Sequence, residues 1–392
     1  MSKPVHYEPG QVRQARFSIS GLFLIFGLTA GLWFVHIPVV SGRLALEPAM
    51  LGVLLLCFGI GSLIFQPIAG ILLARIGSKS ATVAAIFSLL VLLAMATNAA
   101  NWWMLAITLF FSGAAGGSMN VAANTQASKI EEAHGRPTMS IFHGFFSLGV
   151  LTAAVVGGTI INMGWGNGGG AIIAYGIMLP IAAFAGTGLI KEQCTPEATK
   201  AAGRRFVLPA GALLVLAGLA FMANTIEFTV NDWSALYLTT DKGISAGDAA
   251  AGLALFSLAM TLSRFAGGAV VGWLGAKKVV VAGGAIAALG MLVVLLAESV
   301  ILSTSGFLLV GIGASNLAPL LMSQASHIPG VAPSIGVAAT STGLTAGFLL
   351  SPPIIGFVAQ ATSLSIALCT TVIFGVLISV GAWRRSWQRA TT

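Results

Sequence analysis

The chain has 392 residues, of which 57% are hydrophobic and only 8% charged, with a mean hydropathy of +0.95. A soluble domain carries roughly 25% charged residues, so the composition excludes one and points to a polytopic helical membrane protein. The net charge of +8 then reads as membrane topology and attraction to anionic lipid, not as a nucleic-acid footprint.

Apolar runs of about 20 residues, the length a helix needs to cross roughly 30 Å of hydrocarbon, predict twelve spans. They lie near 17–41, 48–74, 80–98, 102–128, 138–162, 169–190, 207–236, 248–273, 278–297, 302–326, 333–359 and 362–383. The first is too long for a signal peptide, lacks a small-residue cleavage site and is followed by further spans. The longest polar interruption divides the chain midway, so residues 191–206 read as a linker between six-helix halves at 1–190 and 207–392. Forty-nine glycines would weaken soluble helices; in a membrane they let helix backbones approach closely.

The two halves repeat. Gly70, Gly77 and Lys79 recur 198 positions later as Gly268, Gly275 and Lys277. At the same offset Gly113 matches Gly311, Gln126-Ala127-Ser128 matches Gln324-Ala325-Ser326, and Gly149 and Gly158 match Gly347 and Gly356. A duplicated bundle has a pseudo-symmetric cleft between its halves, the architecture of many secondary transporters. The fold class expected is all-α integral membrane, twelve helices in two pseudo-symmetric bundles.

Charge orients the bundle. Lys3, Arg13, Arg16, Arg75, Lys79, Lys129, Arg136, Lys191, Lys200, Arg204, Arg205, Lys277, Lys278, Arg384, Arg385 and Arg389 fall on one side of the twelve-span scheme. Only Arg43 and Lys242 fall on the other, and Arg264 lies inside a span. The positive-inside rule makes the crowded side cytoplasmic, with both termini there. No Gly-rich loop ends in a phosphate-binding Lys-Ser or Lys-Thr. Nor does any His/Cys/Asp/Glu cluster have zinc spacing, so no cofactor or metal is expected. Cys57, Cys194 and Cys369 form no framework and read as free thiols.

The stretch Gly70-Ile-Leu-Leu-Ala-Arg-Ile-Gly-Ser-Lys79 resembles the loop between the second and third helices of the Major Facilitator Superfamily, with Ala74 and Gly272 where that pattern has Asp. Phe142-His143-Gly144-Phe145-Phe146-Ser147-Leu148-Gly149, Asn231-Asp232-Trp233, and Gly313-Ala314-Ser315 followed by Pro319 look like the YbjJ-like branch of bacterial transporters. The resemblance implies a twelve-helix inner-membrane transporter working by alternating access. It implies a cytoplasmic gate at Arg75 and Lys79, although these bases can also anchor the loop at lipid headgroups. It also makes His143 a candidate for a proton or substrate contact.

Several polar residues stand inside the spans. Arg264 sits one turn from Gly268, and its repeat-mate is Gln66; an intramembrane Arg costs roughly 2.5–3.5 kcal/mol on insertion scales, so it avoids lipid. A direct gating role and bonding to the neighbouring loop both fit it. Asn224, Glu227, Asn231 and Ser234 share one helical face. A carboxyl on an apolar helix is a natural proton carrier, so Glu227 is the first choice for coupling, ahead of Asp232 and His143. A span starting near Val207 puts both acids toward its far end, where Asp232, Trp233 and Tyr237 also suit an interfacial belt. Trp33 and His36 in the first span, Asn120 and Asn124 in the fourth, Asn231 in the seventh, and Asn316 and Gln324 in the tenth are candidate cavity residues; His327 also titrates. Amides without an ionic partner suit hydroxyl or carbonyl groups better than a multiply charged solute, and each can equally serve an interhelical bond.

Together these features predict a proton-coupled secondary transporter of a small polar solute, a monomer in lipid. Two other classes stand against it. An exporter of lipophilic compounds would want a midplane carboxylate in the first half, where Glu47 sits at a loop. A membrane enzyme or sensor would want catalytic clusters, and none is found.

Overall fold

Backbone polar groups in hydrocarbon must be satisfied within their own segment, so the apolar runs become helices. The computed structural model describes residues 9–134, 138–166, 168–191, 211–328, 330–385 and 387. In chain order the helices are α1 (Pro9–Arg43), α2 (Pro48–Ile76), α3 (Ser78–Thr97), α4 (Trp102–His134), α5 (Met139–Ile160) and α6 (Gly169–Thr187). The second half has α7 (Ala212–Thr240), α8 (Ala246–Leu274), α9 (Ala276–Leu296), α10 (Val300–Ala314), α11 (Leu317–Ala325), α12 (Pro333–Ala361) and α13 (Leu364–Arg384). Among the described residues, twelve segments are long and apolar enough to span a membrane, α10 and α11 forming one of them. Large apolar side chains such as Phe184, Ile301 and Trp273 point outward and are largely exposed, as a lipid-facing surface requires.

The expected linker falls almost wholly at 192–206, outside the described residues, as do Lys3, Arg136, Cys194, Lys200, Arg204, Arg205 and Arg389. Cys57 and Cys369 are free thiols. One boundary moves with consequence: α7 runs from Ala212 to Thr240 and is entered at Gly211, whose φ is 55°, while 207–210 lie outside the described residues. Glu227 therefore lies at the middle of its helix rather than toward one end.

The same helix pairs meet in each half. α2 packs on α4 and α1 on α5; correspondingly α8 packs on α10 and α7 on α12. A Cβ added at Gly113 would run into the Phe58 carbonyl, and one at Gly311 into that of Phe256, again 198 positions on. Gly77 and Gly275 make the same turn, with φ of 79° and 82°.

Lys79 and Lys277 play equivalent parts. Lys79 donates to the Thr187 carbonyl at the end of α6, and Lys277 to the Arg385 carbonyl just past α13, 3.0 Å away. A cation there complements the helix dipole. Lys79 is thus engaged within its own half, not across the cleft, while Arg75 is exposed. Buried Gln126 closes the same corner, donating to Ser78 Oγ (2.7 Å) and the Ile190 carbonyl (2.8 Å) and accepting from the Ile190 amide. On the opposite face Arg43 donates to the Thr97 and Ala99 carbonyls and Lys242 to the Ala297 carbonyl. The two bases that break the charge asymmetry are matching helix caps.

The halves meet where α5 packs on α8 and α2 on α12. On the far face, the one carrying the α1–α2 loop, these contacts are tight. A Cβ at Gly356 would lie 2.5 Å from the Pro48 carbonyl oxygen, and one at Gly158 2.7 Å from that of Gly247. Beyond α5 a π-helical turn, Ile161–Trp165, carries Asn162, whose amide donates to Asp248 at 2.8 Å. Gln360 likewise donates to Glu47 at 2.6 Å. On the near face, where α1 begins, α4 does not pack on α11 or α12. Gly70 and Gly268 there have open space where a Cβ would stand. The far face is sealed; on the near face α4 stands apart from α11 and α12, while α5 stays on α8 down to Ser140.

Candidate functional site

Arg264 reaches across the interface. Its Nη2 lies 3.1 and 3.2 Å from the two Glu227 carboxylate oxygens on α7, and its Nη1 donates to Ser147 Oγ on α5 at 2.6 Å. The Arg264 carbonyl accepts from Ser140 Oγ of α5 at 3.0 Å. One guanidinium therefore joins α7 and α8 to the other half, with side chains 15% and 18% exposed for Arg264 and Glu227. Gln66, the repeat-mate, only donates to Ser62 on its own helix. Sequence reasoning named both ions without pairing them. The available signal was an intramembrane cation and an intramembrane acid on consecutive helices, each of which needs the other to avoid an uncompensated charge.

His143 lies one turn before Ser147 on α5, its ring 5.4 Å from that of Phe23 in an edge-on contact; its carbonyl accepts from Ser147 Oγ. His36 is fully buried, with Nδ1 donating to the Leu32 carbonyl at 2.7 Å and Nε2 lacking a partner. His327 is exposed and bonds the Ser323 carbonyl.

Deeper, between that network and the far seal, is a chamber of about 50 Å³. Trp33, Phe34, Phe58, Phe228 and Phe348 line it, together with Asp232, which is 6% exposed. No hydrogen bond or ion pair among the described residues reaches that carboxylate. Trp233 and Tyr237 are fully buried and Tyr237 donates to the Val294 carbonyl, so an interfacial belt is not what forms here. Phe348 makes edge contacts with Phe58 of the first half and Phe228 of the second, at centroid distances of 6.0 and 4.6 Å. These rings stand on the near-face side of Asp232.

The expected amide lining is only partly assembled. Asn224 donates to the Leu344 carbonyl of α12, and Asn231, 7% exposed, has no side-chain partner among the described residues. Asn120 is exposed and accepts from Asn124 on the same helix. Asn316 stands at the break between α10 and α11 and donates to the Ser263 carbonyl beside Arg264, a structural bond. Gln324 is half-buried and bonded. A larger groove among α2, α3 and α4, lined by Phe65, Leu72, Leu92 and Phe111, carries no ionisable group and lies within one half.

A family model described as Major Facilitator Superfamily matches residues 18–340. An uncharacterized MFS-type transporter of Yersinia pestis is 34% identical over 397 residues, spanning 99% of this chain and 100% of its own. Among solved structures, a variant of the nucleoside transporter NupG superposes with a TM-score of 0.72 at 14% identity, over 94% of this chain and 98% of its own. The E. coli fucose:proton symporter FucP superposes with a TM-score of 0.60 at 19% identity, over 94% and 98%. Fold, repeat and sequence agree: the chain belongs to the Major Facilitator Superfamily and is a multi-pass membrane protein.

Proposed function

We propose that this protein is a secondary active transporter that moves a small polar solute across the bacterial inner membrane by alternating access, driven by protons. On this reading the basic near face is cytoplasmic, the termini are inside, and the arrangement is inward-facing, with halves at 1–190 and 207–392 acting as rocking bodies of a monomer. It is not an enzyme, and its partners are solute, protons and lipid.

The observation that carries the reading is the Arg264 guanidinium, shared between Glu227 of its own half and Ser147 of the other. Transport against a gradient needs an ion whose binding differs between the two facing states. A proton on Glu227 removes the counter-charge of Arg264, and the guanidinium then redistributes its bonds along the α5–α8 interface. Protonation and the contact between halves are thereby linked. A fucose:proton symporter among the structural neighbours is in keeping with proton coupling on this fold. Export of a lipophilic compound, the second reading, draws on the aromatic lining of the chamber.

The test is transport in proteoliposomes, with a metabolite panel first narrowed by thermal shift. Glu227→Gln keeps the shape and removes the charge. Counterflow, which needs no net proton movement, is expected to survive, while accumulation driven by a pH gradient is lost. A Gln variant that still concentrates solute on a pH gradient alone refutes the role of Glu227.

A further inference from the structure

Asp232 is the polar group the coupling scheme leaves unused. It is 94% buried by its 6% exposure, lines a narrow chamber, and meets no donor among the described residues. Glu227, by contrast, has its guanidinium. An isolated carboxylate in apolar surroundings is costly, and an occupant bringing positive charge would compensate it.

The walls say what kind. Aromatic faces attract cations electrostatically, and most strongly where water is excluded; a carboxylate adds a charge-assisted hydrogen bond. Phe34 is the repeat-mate of Asp232, 198 positions earlier, and both line the chamber. The pseudo-two-fold relation thus sets a ring on one side of the space and an acid on the other. The size limits the occupant further. A water needs roughly 10–15 Å³ by this measure, so about 50 Å³ takes an ammonium or methylammonium group, not a sugar or a base. The rest of the solute then extends past Phe58, Phe228 and Phe348 toward the near face.

We propose that Asp232 and the surrounding aromatic rings bind the protonated amine of a small polar solute, so that the substrate class is a hydrophilic organic amine. This rests on the transporter reading above for its physiological meaning, though not for the binding itself.

The test uses the purified full chain, with methylammonium, ethanolamine and glucosamine each paired against its hydroxyl analogue: methanol, ethylene glycol and glucose. Saturable thermal stabilisation and ligand-observed NMR are read together. At least one amine is expected to bind about tenfold more tightly than its neutral match. Asp232→Asn should erase that preference and Phe34→Leu should reduce it several-fold, with folding checked by gel filtration. Absence of any amine preference in the wild type, or its survival in Asp232→Asn, overturns the proposal; a proton-only site gives the first of these results. If Asp232→Asn does not fold, Phe34→Leu decides alone: a preference it leaves unchanged counts against the subsite. Amine binding without amine counterflow in proteoliposomes keeps the subsite and sinks the transport reading. Counterflow of a neutral solute that none of the amines inhibits does the reverse.

Discussion

Gly356→Ala adds one methyl group where the halves are sealed on the far face. Its Cβ would stand 2.5 Å from the Pro48 carbonyl oxygen, and 3.1 Å from Gly52 Cα. Both neighbours are backbone, so neither side moves without displacing a helix. Overpacking of this sort costs about 1–3 kcal/mol. The cost falls only on the arrangement in which α2 and α12 touch at that level, and it vanishes when the far face opens. Converted to populations, it favours the far-open state by about 5- to 150-fold. Spin labels on cysteines introduced at Ala100 and Glu298, both exposed and at repeat-equivalent far-face positions, report the change by double electron–electron resonance in a background with Cys57, Cys194 and Cys369 replaced by Ser. The long-distance population should grow. Gly113→Ala is the control, because its Cβ meets the Phe58 carbonyl inside one half; it should lower the melting temperature and leave the distances alone. An unchanged distance distribution in Gly356→Ala, or one altered equally in Gly113→Ala, refutes the assignment of Gly356 to the seal.

Two more outcomes follow from the same geometry. Lys79→Met and Lys277→Met each remove a cation from a helix C-terminus, about 0.3–1 kcal/mol, so each should lower thermal stability slightly without moving the spin-label distances; a changed distance at unchanged stability would restore Lys79 to the gate. Gly268→Trp enters open space in the present state, so the protein should fold normally yet lose counterflow because the near face can no longer close, and wild-type counterflow in that variant would show that Gly268 is not an approach point.

Much of the fold is legible in the sequence because hydrocarbon imposes length and apolarity on every span, and because duplication wrote the architecture twice. Boundaries are less so. The seventh span reads as ending near 236, yet its helix continues to Thr240. Asp232, Trp233 and Tyr237 in its last third are buried inside the bundle, where the sequence also suited an interfacial belt. The site is half legible: Glu227, Asp232, Arg264 and His143 stand out as rare ionisable groups in apolar helices. Partnership is not, since Arg264 meets Ser147 through a contact between halves 117 residues apart. Lys79 has two readings in the sequence, a gate and an anchor at lipid headgroups. Its place in a loop motif suggests a gate, whereas its ammonium is taken up by the end of α6, a contact that no local spacing reveals.

The duplication also separates joints from chemistry. Where the halves keep the same residue, the pair serves one mechanical purpose. Gly77 and Gly275 turn the chain, Lys79 and Lys277 cap the sixth helix of each half, and Gly158 and Gly356 seal the far face. At three positions inside the bundle where they differ, charge enters on one side only. Gln66 faces the register of Arg264, Phe34 that of Asp232, and Thr29, bonded to the Ile25 carbonyl of its own helix, that of Glu227. All three ions belong to the second half, and each has a neutral mate in the first. A symmetric pair of acids would repel across the axis, and a symmetric pair of bases likewise, so a cleft that must hold ions has to break its own repeat. The neutral half then supplies surfaces, Ser147 for the guanidinium and aromatic rings around the carboxylate. The charged half supplies the ionisable groups.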